Sequence, residues 1–330
     1  MVGDPTLDAV AIGNALVDVI AEAPESFLVE EGLTKASMML VDAARSAHLY
    51  GRLPRAVQAS GGSAANTSHG LASLGGRAGF VGKVAADDLG RAFADDLARV
   101  GVRFFPGATS VAEPTGRCVI VVTPDGQRTM STFLGASSLL EPADVAADAV
   151  RAGAVLFLEG YLFDRDAAKE AFRVAAAGAH AAGRKVALTL SDSFCVERHR
   201  ADFLALVRDE VDLLFANEHE LCALYGTDLD PALARLAGEC AHAAVTRSAD
   251  GSVLLWEGRR VAVGAEPVAR VVDATGAGDM YAAGFLYGYT RGWTAEACGR
   301  LAGIAAAEVI SHVGPRPLVS LASLIPPDLR

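Results

Sequence analysis

From about residue 150 the chain alternates short apolar runs with longer stretches whose apolar residues recur at helical spacing. The runs are AVLFL (154–158), KVALTL (185–190), DLLFA (212–216) and AAVT (243–246), and VARVV (268–272) is a further strand candidate. Between them, helical patterns cover 165–182, 197–209, 217–225 and 231–240. Apolar strands alternating with amphipathic helices predict βαβ units around a mostly parallel sheet covered on both faces. The first third reads differently. AVAIG (9–13) suits the same sheet, but ALVDVIAEA (15–23) and SMMLV (37–41) are short extended candidates in a turn-rich stretch. CVIVV (118–122) and RTMSTFL (128–134) flank TPDGQ, whose Asp-Gly pair marks a hairpin turn. The expected organisation is one α/β domain over 1–330 carrying a small, discontinuous β-lid built roughly from 14–42 and 111–135.

In open parallel sheets ligands bind beyond the carboxyl ends of the strands. That rule collects the polar segments after each run onto one rim: Glu159-Gly160-Tyr161, Ser191-Asp192-Ser193, Asn217 through Glu220, Arg247-Ser248, and the turn after 268–272.

Composition narrows the function. The chain has 330 residues, is 52% hydrophobic and carries a formal charge of −11, with a mean hydropathy of +0.30 and a pI near 5.1. An acidic chain offers no footprint for nucleic acid or an anionic membrane, so phosphate binding would rest on backbone amides, Mg²⁺ and a few local cations. Cys118, Cys195, Cys222, Cys240 and Cys298 are scattered, with no zinc or redox spacing. No apolar run reaches membrane-spanning length and the N-terminus has no signal core, so a cytoplasmic protein is expected.

Two motifs carry chemistry. DATGAGDMYAAGFLYG (273–288) places Asp273 and Asp279 either side of a Thr-Gly-Ala-Gly turn that opens an uncharged helix over Met280–Tyr289. A helix start leaves N–H groups unpaired and carries partial positive charge, so Gly276, Ala277 and Gly278 form an anion site. A carboxylate beside an anion site suits a base that takes a proton from a hydroxyl attacking phosphorus. The competing reading is that Asp273 or Asp279 caps the helix. GGSAANTSHGLASLGG (61–76) repeats the theme: Gly61 and Gly62 precede a helix over Ala64–Leu74, with Asn66 one turn in, and the alternative is a glycine turn capped by Ser63.

The ordered pair of motifs resembles the two signatures of the PfkB/ribokinase family of carbohydrate and nucleoside kinases, with similarity along nearly the whole chain. The resemblance implies a ribokinase-like, Rossmann-type α/β fold: a mostly parallel central sheet flanked by helices, with a small β-sheet lid over the acceptor. It implies Asp279 as base and Gly276, Ala277 and Gly278 as anion hole. Acceptor binding falls to Asn14, Asp18, Gly61, Gly62, Ser63, Asn66 and Tyr161. Nucleotide binding falls to Arg128, Asn217, Glu220, Thr246, Gly251 and Thr275, although TRSADG (246–251) departs from the T-x-G of many sugar kinases. Asn217 and Glu220 match an N-x-x-E element that organises Mg²⁺ largely through water, and Asp273 and Thr275 resemble ligands of a monovalent-cation site, making K⁺ a candidate alongside ATP and Mg²⁺. Simple capping for Asn217 and Glu220, and a solvated charge for Arg128, are the plain alternatives.

GNALVD (13–18) and GGSAAN (61–66) are closer to adenosine kinases than to ribokinases, which carry Lys where Ser63 stands. Met38, Met39, Phe133, Leu134 and Tyr161 are available to hold a purine. The expected reaction is transfer of the γ-phosphate of Mg·ATP to the 5′-hydroxyl of adenosine, by a monomer or homodimer. The alternatives are a sugar kinase acting on ribose, fructose or ketodeoxygluconate, and a non-catalytic nucleoside-binding protein. A dinucleotide-dependent oxidoreductase is disfavoured, because AVAIGNALVD lacks the G-x-G-x-x-G that should follow the first strand.

Overall fold

The computed structural model describes residues 3–53 and 56–329. Fourteen strands occur among them, and nine form one sheet. In chain order these nine are β1 (Leu7–Ile12), β5 (Ala78–Gly82), β6 (Arg103–Pro106), β9 (Gly153–Glu159), β10 (Lys185–Thr189), β11 (Leu213–Asn217), β12 (His242–Thr246), β13 (Ser252–Trp256) and β14 (Arg259–Val263). Their spatial order is β14-β13-β12-β11-β10-β9-β1-β5-β6. All neighbours are parallel except the hairpins β12-β13 and β13-β14 at one edge.

The strands alternate faces, and each face is covered. Val10, Ile12, Leu156 and Leu158 pack towards the helix Asp166–Ala181. Ala9, Ala11, Val155 and Phe157 pack towards the helices Ser63–Ser73, Asp88–Arg99 and Ala277–Tyr289. Burial on both faces is why these runs are continuously apolar.

The remaining strands form a smaller sheet, ordered β3 (Met38–Leu40), β8 (Arg128–Phe133), β7 (Gly116–Val122), β2 (Leu16–Glu22) and β4 (Val57–Gly61). Ala21, Val119 and Val121 pack there against Phe27, Leu28, Leu49 and Leu53. β4 lies outside the two segments expected from sequence, because VQASG alternates too weakly to stand out. The expected strand at 268–272 is also absent. Those residues form no strand, and Val271 and Val272 are largely exposed. The turn at 273–276 therefore joins the helix Ala277–Tyr289 to an irregular connection, not to a strand of the sheet. No helix among the described residues is long and apolar enough to cross a membrane.

Candidate active site

The two glycine motifs meet at the rim. Gly276 begins the helix Ala277–Tyr289 in the left-handed conformation (φ 80°), and a Cβ there would lie 2.5 Å from the Pro315 carbonyl oxygen. Gly278 faces open space. Ala277 N–H closes a turn onto the Ala274 carbonyl, whereas Gly278 N–H meets no acceptor among the described residues. Neither aspartate caps this helix by side chain.

Asp279 sits in the first turn and reaches across to the second motif. Its Oδ1 accepts from Ser63 Oγ at 2.6 Å and its Oδ2 from Asn66 Nδ2 at 3.1 Å. Burial raises its pKa, opposed by those two bonds and by the charge of Arg316. Ser63 is thus not a cap. Gly62 starts the helix Ser63–Ser73 at φ 97° with no side-chain cap, and its missing Cβ would meet the Asn14 carbonyl at 2.2 Å.

Asp18 on β2 lies against the same glycines, since a Cβ on Gly61 would be 2.4 Å from Asp18 Oδ1. Burial lifts the Asp18 carboxyl to about 6, against the opposing charges of Arg316 and Arg128. Asn14 is fixed at both ends. Its Nδ2 donates to Glu159 Oε1 at 2.8 Å, and its Oδ1 accepts from Ser137 Oγ at 3.0 Å. Glu159, at the end of β9, also accepts from the backbone of Asn14 and Ala64. Burial pushes its pKa up to about 7 despite these donors.

A cavity of about 280 Å³ opens at Asn14, lined by Leu40, Val41, Phe133, Leu134 and Tyr161 and also by the polar Glu113, Thr132, Ser138, Asp164 and Arg165. Met38 and Met39 do not line it and are exposed. Tyr161 donates its hydroxyl to the Ser191 carbonyl at 3.2 Å.

The residues expected from sequence to bind the nucleotide are engaged with protein partners. Asn217 and Glu220 form a reciprocal helix cap: Asn217 Oδ1 accepts from Glu220 N–H at 2.8 Å, and Glu220 Oε2 accepts from Asn217 N–H at 2.9 Å. Glu220 Oε1 takes Asn217 Nδ2 at 2.6 Å, and burial pushes its pKa up to about 7. Each oxygen of this carboxylate thus already accepts one bond from the cap. Arg128 pairs with Asp273 Oδ2 at 2.9 Å, while Thr275 N–H and Oγ1 donate to Asp273 Oδ1. Thr246 ends β12, opposite Ser252, and Gly251 turns the chain at φ 79° where a Cβ would strike the Val263 carbonyl.

Glu159, Ser137 and Arg316 escaped the sequence reading. Glu159 was visible only as a rim residue. The Gly-Pro-Arg-Pro turn at 314–317 was the signal for Arg316: a cation held by turn residues after the last long helix.

Residues 32–320 match the pfkB family carbohydrate kinases. The chain belongs to this family. It is 52% identical to the structure of adenosine kinase from Sinorhizobium meliloti, covering 97% of this chain and 98% of that one with a TM-score of 0.87. A probable sugar kinase from Rhizobium etli is 48% identical over the same shares, with a TM-score of 0.88. Yeast adenosine kinase is 25% identical over 94% of this chain and 96% of its own. The fold is accordingly ribokinase-like, and the protein is a carbohydrate or nucleoside kinase, a class for which ATP is a substrate.

Proposed function

We propose that this kinase transfers the γ-phosphoryl group of Mg·ATP to the 5′-hydroxyl of adenosine. The observation that carries the acceptor is the cavity beside Asn14. Its Leu40, Val41, Phe133, Leu134 and Tyr161 side chains give one apolar and aromatic face that suits a base, beside polar groups such as Asn14, Thr132 and Ser138. The 52% identity to an adenosine kinase supports the same choice.

In this reading the ribose lies beside Gly61 and Gly62, whose missing side chains let Asp18 and the Asn14 backbone pack against them, with Asp18 and Asn14 binding its hydroxyls. Asp279 takes the proton of the 5′-hydroxyl as its oxygen attacks the γ-phosphorus and the bond to ADP breaks. Ser63 and Asn66 hold Asp279 and favour its ionised form, offsetting burial. The N–H groups at the start of the helix Ala277–Tyr289 face the charge that grows on the transferred group. Mg²⁺, when bound, neutralises phosphate charge, and Asn217 and Glu220 would meet it through water. Closure of the small sheet would exclude water as a competing acceptor.

A sugar kinase is the second reading, favoured by the 48% identity to a probable sugar kinase and by the polar Asn14–Asp18–Gly61 corner, which would serve a sugar alone. The deciding experiment is ADP release from Mg·ATP with adenosine, ribose, fructose and ketodeoxygluconate offered separately, with Asp279→Asn in parallel. Turnover of adenosine above the sugars, lost in the variant, is expected. A sugar preferred over adenosine would overturn the acceptor, and normal turnover by Asp279→Asn would overturn the base.

A further inference from the structure

We infer that Arg316 is a positioning residue for phosphoryl transfer: its guanidinium locks the Asn66 amide in the one orientation that can donate to Asp279. The inference rests on Asp279 being the base. Arg316 Nε donates to Asn66 Oδ1 at 3.2 Å, and Asn66 Nδ2 donates to Asp279 Oδ2 at 3.1 Å. An amide rotated by half a turn would set its oxygen against the carboxylate and its NH₂ against the guanidinium, losing both bonds. The cation therefore selects the donor end that faces Asp279.

Arg316 is itself held rigidly. Nη1 donates to Asp96 Oδ2 at 2.8 Å, and Nη2 donates to Ser60 Oγ at 2.7 Å and to the Ser60 carbonyl. Ser60 N–H and Oγ donate in turn to Asp96 Oδ2. The Arg316 and Asp96 side chains are 15% and 11% exposed, so this pair is little screened. Ser60 immediately precedes Gly61 and Gly62. On the other side, Pro315 packs against Gly276, and Gly314 N–H donates to Asp273 Oδ2 at 2.9 Å. Three consecutive residues thus clamp both glycine motifs, and their one cation reaches the base through a single amide. Arg316 also supplies positive charge that offsets burial at Asp279 and Asp18.

The test compares Arg316→Met, Arg316→Lys and Asp96→Asn with the wild type in pH profiles of kcat and KM. Mg·ATP is used with whichever of the four acceptors above turns over fastest, and thermal melts confirm folding. Arg316→Met should lose kcat by about 10-fold or more, with KM for the acceptor changed less. Its acid limb should move to higher pH, because a base that loses a nearby cation protonates sooner. Arg316→Lys should keep the limb near its wild-type place while losing part of kcat, and Asp96→Asn, which loosens the guanidinium but keeps its charge, should lose less kcat than Arg316→Met without moving the limb to higher pH. A folded Arg316→Met with wild-type kcat and acid limb would overturn the inference. So would equal losses in the Met and Lys variants with neither limb moved, the mark of a purely structural role. Either result beside an inactive Asp279→Asn would leave the base assignment standing, whereas an active Asp279→Asn would remove the base first.

Discussion

Arg128 Nη1 lies 2.9 Å from Asp273 Oδ2, so an ion pair with side chains only 6% and 13% exposed ties the small sheet to the turn that opens the helix Ala277–Tyr289. Asp273 is surrounded by donors: Thr275 N–H and Oγ1 on one oxygen, Gly314 N–H and Arg128 on the other. Burial works against its charge, but these donors hold its carboxyl below the usual range. A nucleotide phosphate that recruited Arg128 would have to draw it away from Asp273.

That saturation bears on K⁺. A carboxylate offers about four lone-pair sites, and all four are used here. Melting temperatures in KCl and in choline chloride at equal ionic strength should coincide. Arg128→Ala should cost roughly 1–3 kcal/mol in denaturant unfolding, since Asp273 keeps three neutral donors but loses its cation. In that variant, a gain in melting temperature on adding K⁺ is expected.

The two glycines of the first turn should behave differently. Gly276→Ala forces a left-handed backbone and a contact with Pro315, at a cost of about 1–3 kcal/mol. Gly278→Ala meets open space, so its melt should stay within a few degrees of wild type while turnover falls. Full activity in Gly278→Ala would mean that no phosphoryl group approaches that backbone.

Asp18 predicts a trade between stability and function. Its folded pKa of about 6 exceeds the ordinary 3.8. The folded state thus holds a proton that the unfolded state has released, and stability is lost as pH rises from about 4 to 6. Asp18→Asn should be the more stable protein at pH 7, by up to about 3 kcal/mol, with the advantage vanishing below pH 4. Acceptor KM should rise. A stability difference independent of pH would contradict this.

Asn217→Ala should cost about 1 kcal/mol through the lost cap. If the pair also meets hydrated Mg²⁺, the Mg²⁺ concentration needed for half-maximal rate should rise as well. An unchanged requirement would leave the pair as a cap alone.

By itself, the sequence determined the mostly parallel α/β class, the hairpin around Asp125-Gly126, the presence of both glycine helices and the family, because each depends on local periodicity or on a short ordered motif; the second helix starts at Ala277, three residues before the expected Met280. It also marked Asp279 and Asn66, since their spacing from the glycines is a property of one helix turn. It misread 268–272, where an apolar run lies outside any sheet, because hydrophobicity does not distinguish a strand from a connection that packs loosely. Only the tertiary structure decided that Asp279 meets Ser63 and Asn66 more than 200 residues away, that Arg128 spends its charge on Asp273, and that Arg316 faces Asn66 from the far end of the chain. Each of these depends on the direction in which a long side chain leaves its element, and on what other segments bring to the same rim. Those contacts form only when the sheet aligns the strand ends, so no local stretch of sequence contains them.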